Sequence, residues 1–261
     1  MIKNNIIKFI KEKPFPVFEI ENFLDLNFYN NLLSNIPDPK LFDKKDLVNF
    51  KNNKFAITSD QQIYRDIIKQ SDILNKFHDL VINGDIIKNI YHNLYLKIFK
   101  TRDFDLKHII KLSKIPIFSE KLNKGLLKNL FNIFNNMRIT IQFSYISNNG
   151  YIVPHQDAGD KLLTLMLYFP SQNGNNFSNI EKEYGTTFWK TNFKNRFDGK
   201  HLETEEEKNV FYQNSSILHK SYFTSNTLVG FVRNKHSWHT VEPVNVFEDY
   251  IRRSININIY Y

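Results

Sequence analysis

From position 137 onward the chain alternates. Ile139, Ile141, Phe143 and Tyr145 are apolar or aromatic, and Arg138, Thr140, Gln142 and Ser144 between them are polar. A period of two sends successive side chains to opposite faces, so the run reads as a strand. Further strands are expected over 151–157, 162–169, 186–190, 227–233, 238–241 and 252–260. Between them lie a Gly/Asn/Ser turn region at 171–176 and a long polar insertion at 192–225. Upstream the period lengthens. Ile63, Ile67, Leu74, Phe77, Leu80, Val81, Ile86, Ile90, Leu94 and Ile98 recur near 3.6, which predicts helices over 59–98 with a break at Gly84. A helix is expected over 26–36, stopped by Pro37-Asp38-Pro39, and another over 122–136. Before these, 14–20 reads as a short strand with prolines confined to its start.

Helices first and short strands afterwards predict an α+β fold, with N-terminal helices supporting a β-sandwich or barrel. No linker separates the helical part, 1–136, from the strand-rich part, 137–261, so one domain is expected. With 261 residues and 41% hydrophobic positions the chain can bury a sizeable core, and this composition excludes a disordered protein. No apolar run reaches the roughly 18 residues that span a bilayer. The lysine-broken start lacks a small-residue cleavage site, so no secretory signal is read and a cytoplasmic location is expected.

Two features of the composition narrow the chemistry. Cysteine is absent, which excludes disulfides, thiolate metal sites and a cysteine nucleophile. The net charge is +8, but no basic cluster interleaves with aromatics, so a solvated lysine-rich surface is favoured over a nucleic-acid partner. Any metal must then be held by histidine, carboxylate or water.

One constellation meets that requirement. His155-Gln156-Asp157 ends an expected strand, with Pro154 before it and the turn residues Ala158-Gly159-Asp160 after it. Residues i and i+2 share a face, so His155 and Asp157 can bind one ion while Gln156 points away. His239, in the short apolar strand 238–241, is the best candidate for a third ligand. Two histidines and one carboxylate on one face of iron(II) leave positions open for a substrate, a cosubstrate and dioxygen. A His-x-Asp triplet alone is weak, since roughly 0.5 occurrences are expected by chance in a chain of this composition. The order of strand, His-x-Asp, further strands, His and an arginine-bearing final strand gives it weight. Arg252 shares a face with Ser254 and Asn256, whereas Arg253 shares the other with Ile255, Ile257 and Ile259. Arg252 is therefore favoured as an anchor for a dicarboxylic cosubstrate, with Ser254 donating a further hydrogen bond; Arg253 takes its place if the register slips by one. His78, His92, His108, His201, His219 and His236 are read as ordinary structural or surface residues, and the acidic run 203–207 as a solvated helix start.

With these residues in place, the chain resembles the iron(II)- and 2-oxoglutarate-dependent oxygenases, in their prolyl-hydroxylase-like branch. The resemblance covers about 137–261 and more faintly 14–38. Its ordered matches are Tyr145, Gly150 and Pro154-His155-Gln156-Asp157, then strand 162–168, the glycine-led Gly185-Thr186-Thr187-Phe188, the segment around Ser237-Trp238-His239-Thr240-Val241, and Arg252-Arg253-Ser254-Ile255. It implies a double-stranded β-helix (jelly-roll) core with helices outside. It also implies iron(II) held by His155, Asp157 and His239, 2-oxoglutarate anchored by Arg252 with Tyr145 in support, and ascorbate as a candidate accessory. The expected reaction hydroxylates a C–H bond of a peptidyl residue or small molecule, releasing succinate and carbon dioxide. A nucleic-acid oxidative demethylase and a non-catalytic jelly-roll binding module are the alternatives. The insertion 192–225 and the helical part are expected to cover the site and select substrate. Oligomeric state is not readable.

Overall fold

The structure is a computed structural model, which describes residues 7–82, 90, 94, 138–171, 181–193 and 199–260. The helix expected over 122–136 and the break expected at Gly84 lie outside these residues.

Twelve strands and four α-helices are described. The strands are β1 (Lys8–Lys11), β2 (Val17–Ile20), β3 (Val48–Asn49), β4 (Lys54–Thr58), β5 (Arg138–Ser147), β6 (Ile152–His155), β7 (Lys161–Phe169), β8 (Thr187–Thr191), β9 (Ser215–Lys220), β10 (Leu228–Val232), β11 (Trp238–Val241) and β12 (Ile251–Tyr260). The helices are α1 (Leu26–Asn35), α2 (Gln62–Gln70), α3 (Asp72–Ile82) and α4 (Glu205–Gln213). The strands form an eight-stranded sheet, β1-β2-β10-β7-β12-β5-β4-β3, and a four-stranded sheet, β6-β11-β8-β9. Every pairing is antiparallel.

The large sheet is covered on both faces, and the alternation along its strands sorts residues between them. Ile141, Phe143, Tyr145, Leu165, Leu167, Phe169, Ile255, Ile257 and Ile259 face outward. There they form the main core with Phe28, Tyr29 and Leu32 of α1, Tyr64 and Ile68 of α2, and Leu74, Phe77 and Val81 of α3. The opposite, inner face meets the small sheet. Part of the contact is apolar, with Val17, Met166, Tyr168, Val229 and Phe231 against Phe188 of β8. The inner face also carries buried polar residues, Thr140, Ser144, Thr164, Ser254 and Asn258.

Local chemistry explains the element ends. Asp25 caps α1 by accepting from the amides of Asn27 and Phe28. The helical run expected over 59–98 breaks at Ser71. Ser71 is extended, and its hydroxyl accepts from the Leu74 amide at 3.5 Å, so it ends α2 and starts α3. The insertion 192–225 carries secondary structure among its described residues. It contains α4, whose Thr204 and Glu207 form a capping box, and the edge strand β9 paired with β8. No helix among the described residues is long and apolar enough to cross a membrane.

Candidate metal centre and anion site

The site forms where β6 and β11 pair in the small sheet. His155 stands directly opposite His239 in the register, with ring centroids 4.0 Å apart. Asp157, two residues beyond His155, completes the group: one ligand atom from each of the three side chains lies within 4.8 Å of the others. All three are buried. Each histidine has Nδ1 beside the carbonyl two residues upstream, Val153 O for His155 and Ser237 O for His239, both at 3.0 Å. In the tautomer with hydrogen on Nδ1, that contact fixes the ring and leaves the Nε2 lone pair for a metal.

Charge favours the ligating forms. Burial pushes His155 well below the usual imidazole range, reinforced by His239 and His201, and burial likewise lowers His239 against the pull of Asp157. Both rings are thus neutral, as ligands must be. Burial alone would raise the Asp157 carboxyl, but the Lys161 ammonium paired with it outweighs burial and holds the group far below the ordinary carboxylate range. Lys161 Nζ donates to Asp157 Oδ1 and Thr164 Oγ1 to Oδ2, both at 2.7 Å. Arg233 Nε pins the Asp157 carbonyl at 3.1 Å, and Gln156 is tied through Nε2 to the Lys235 carbonyl. The donor set, two imidazoles and a carboxylate with sulfur excluded, suits iron(II).

Arg252 lies on the inner face of β12, as its parity with Ser254 predicted. The side chain is buried, donates from Nε to the Tyr184 carbonyl at 2.6 Å, and lies over the rings of Phe223 (4.6 Å) and Tyr168 (5.2 Å). Among the described residues no carboxylate lies within ion-pair distance of it. Desolvation lowers its pKa, partly offset by Tyr168 and Tyr250. Ser254 is buried on the same face, with its hydroxyl donating to Asn256 Oδ1 at 3.0 Å. Arg253 points to the outer face, 3.9 Å from Asp38 and one-third exposed.

Tyr145 is not brought to this site. It sits on the outer face of β5, stacked on Phe55 at 5.5 Å, and its hydroxyl donates to the Pro37 carbonyl at 2.9 Å. Its place in the alternation puts it with Phe143 and Ile141, against the helices. The tyrosine beside Arg252 is Tyr168, whose hydroxyl meets Thr186 Oγ1 (2.9 Å) and Ser221 Oγ (3.0 Å). Nothing in the pattern of β7 singles it out. Three other residues at the site were also missed: Lys161, Thr164 and His201. The His201 ring stacks on His155 at 4.5 Å, and the segment carrying it runs beside β6, with Gln156 N donating to Lys200 O and Leu202 N to Pro154 O. A single histidine in a polar insertion carries no sequence signal.

No protein-family model and no curated protein matches this sequence. Solved structures do. A prolyl-4-hydroxylase from Pseudomonas putida superposes with a TM-score of 0.50 over 95% of this chain and 93% of that one, at 10% identity. A Trichoplax adhaerens prolyl hydroxylase, solved with a hypoxia-inducible-factor peptide, reaches 0.41 at 10% identity over 94% and 83%. HygX from Streptomyces hygroscopicus, solved with nickel, 2-oxoglutarate and hygromycin B, reaches 0.43 at 9% identity over 94% and 82%. The first likeness establishes a shared fold.

Proposed function

We propose that this protein is an iron(II)- and 2-oxoglutarate-dependent dioxygenase that hydroxylates a C–H bond of a peptidyl residue or small molecule. The two sheets are read as a double-stranded β-helix, and the chain as one domain, since helices α1 to α3 and the large sheet share a single core. The observation that carries the reading is Arg252. A guanidinium buried without a carboxylate partner among the described residues, on the face that also meets the His155–Asp157–His239 group, calls for an anionic ligand. The surroundings agree: Asp157 is already paired with Lys161, so a metal dication added there, with Arg252 on the same face of the sheet, leaves positive charge for a dianion to balance.

In this reading His155, Asp157 and His239 hold iron(II), which when bound supplies the oxidising chemistry that converts 2-oxoglutarate and dioxygen to succinate and carbon dioxide. The chain's own part is positioning. Arg252 and Tyr168 receive the far carboxylate, with Ser254 beside them. Thr164 and Lys161 orient Asp157. Phe231, 4.7 Å from the His239 ring, and Phe188, at 6.3 Å, would shield that ligand ring from water.

The test is to add iron(II) and 2-oxoglutarate to the purified protein without oxygen and record the visible spectrum. A weak charge-transfer band in wild type, lost in His239→Ala, is expected. A folded wild-type protein that shows no band overturns the assignment.

A further inference from the structure

Arg252 is not the only cation on the inner face. In the large sheet Ile146 of β5 pairs on one side with Arg252 of β12 and on the other with Lys54 of β4. The three therefore form one row across adjacent strands, each about 4.8 Å from the next. The two cations flank Ile146 and occupy different surroundings. Arg252 is enclosed by aromatic rings. Lys54 opens onto a cleft of about 460 Å³ that it lines together with Phe50, Lys51, Tyr151, His201 and Glu203. His201, stacked on His155, connects the cleft to the metal ligands.

Lys54 is uncommitted. Among the described residues its ammonium has no carboxylate partner, and Nζ lies over the uncharged Phe50 ring, 4.6 Å from the centroid. Its neighbour Lys51 is ion-paired with Glu203 at the mouth of the cleft. Desolvation, with Lys161 and Arg252 nearby, brings the Lys54 pKa down to about 8. One molecule of 2-oxoglutarate chelated at the metal has a single free carboxylate, and the enclosed Arg252 receives it. That leaves Lys54 for whatever enters by the cleft.

We propose that Lys54 is a substrate-binding residue, and that the substrate carries a carboxylate which pairs with its ammonium in the cleft between the β3–β4 hairpin and the His201 segment. A monoanion is favoured over a phosphate because one cation remains unpaired and Glu203 stands at the entrance. Phe50 and Tyr151 give the ligand's body an aromatic wall. The proposal rests on the dioxygenase reading, which makes Arg252 the cosubstrate's partner.

The probes are benzoate and its neutral isostere benzamide, titrated calorimetrically into protein loaded with Mn(II) and saturating 2-oxoglutarate. Wild type and Lys54→Arg are expected to prefer benzoate by roughly tenfold, the size of one charge-assisted hydrogen bond. Lys54→Met is expected to lose that preference while holding Mn(II) and 2-oxoglutarate as wild type does. Equal binding of both probes by loaded wild type, or a preference that survives Lys54→Met, overturns this proposal alone. A Lys54→Met protein that loses 2-oxoglutarate moves Lys54 into the cosubstrate site and overturns it too. A wild type that takes up neither Mn(II) nor 2-oxoglutarate overturns the dioxygenase reading beneath it.

Discussion

Arg252 and Arg253 are neighbours in sequence, and the pleat of β12 sends them to opposite sides of the large sheet. The outer arginine reaches Asp38 at 3.9 Å, an exposed pair of little energetic weight. The inner one is buried among Tyr168, Phe223 and the Tyr184 carbonyl. Arg252→Met should therefore weaken 2-oxoglutarate binding by roughly 10- to 100-fold, the range for a charge-assisted pair, while Mn(II) binding stays intact. Titration of both ligands checks it, and Arg253→Met serves as the silent control. At Asp157, Thr164→Val removes the donor to Oδ2 and should cost on the order of tenfold in metal affinity, read by competition with a chelator. The metal ligands were legible because a period of two puts His155 and Asp157 on one face. The same rule separated Arg252 from Arg253. The supporting role of Tyr145 came from the family resemblance, and the alternation of β5 goes against it, since it groups Tyr145 with Ile141 and Phe143 on the outer face. Lys54, Lys161 and Tyr168 come from strands without a motif, so only the register brings them to the site.

The elements hold these side chains through contacts that periodicity does not display. Strand β8 enters the small sheet past Gly185, where an added Cβ would lie 1.9 Å from the Ser221 carbonyl oxygen, a backbone atom. Gly185→Ala should thus destabilise the fold by about 1–3 kcal/mol in denaturant titration through overpacking alone. Helix α1 is bound to the back of β7 by the Tyr29 hydroxyl, which donates to the Tyr168 carbonyl at 2.8 Å. Burial raises the Tyr29 phenol from 10 to about 12, so the folded state keeps a proton that the unfolded chain gives up sooner. The stabilisation from this group is complete below pH 10 and is lost as pH rises from 10 to 12. Tyr29→Phe should flatten that part of the stability profile. Helix starts and strand cores were readable from capping residues and alternation. Strands β1, β3, β4 and β9 were not: they are short or lie at edges, and β9 is hidden in a stretch whose exposed residues, such as Ser216 and Ile217, follow no clean period.

At the scale of the whole molecule, the strand-rich assembly after 137 was legible from the change of period. Strands β1 to β4, which precede or interrupt the helices and join the same large sheet, show that helices and strands are not simply consecutive. The pairing order was not legible, since strands far apart in sequence, such as β2 and β10, lie side by side. Ligand binding reports on this assembly, because the three metal ligands come from β6, the turn after it and β11. Saturating Mn(II), at about 100 times its dissociation constant, should add about 2.7 kcal/mol and raise the melting temperature by several degrees. His239→Ala should abolish the rise, which scanning calorimetry would measure. The main dry core lies between the large sheet and the helices, on the side away from the metal ligands. Stability and chemistry are therefore housed on opposite faces of one sheet. Substitutions at Lys54, Ser254 or Asn258 can retune what is bound while leaving the contacts that keep the chain folded untouched, so new specificities can arise here without first acquiring compensating stabilising changes.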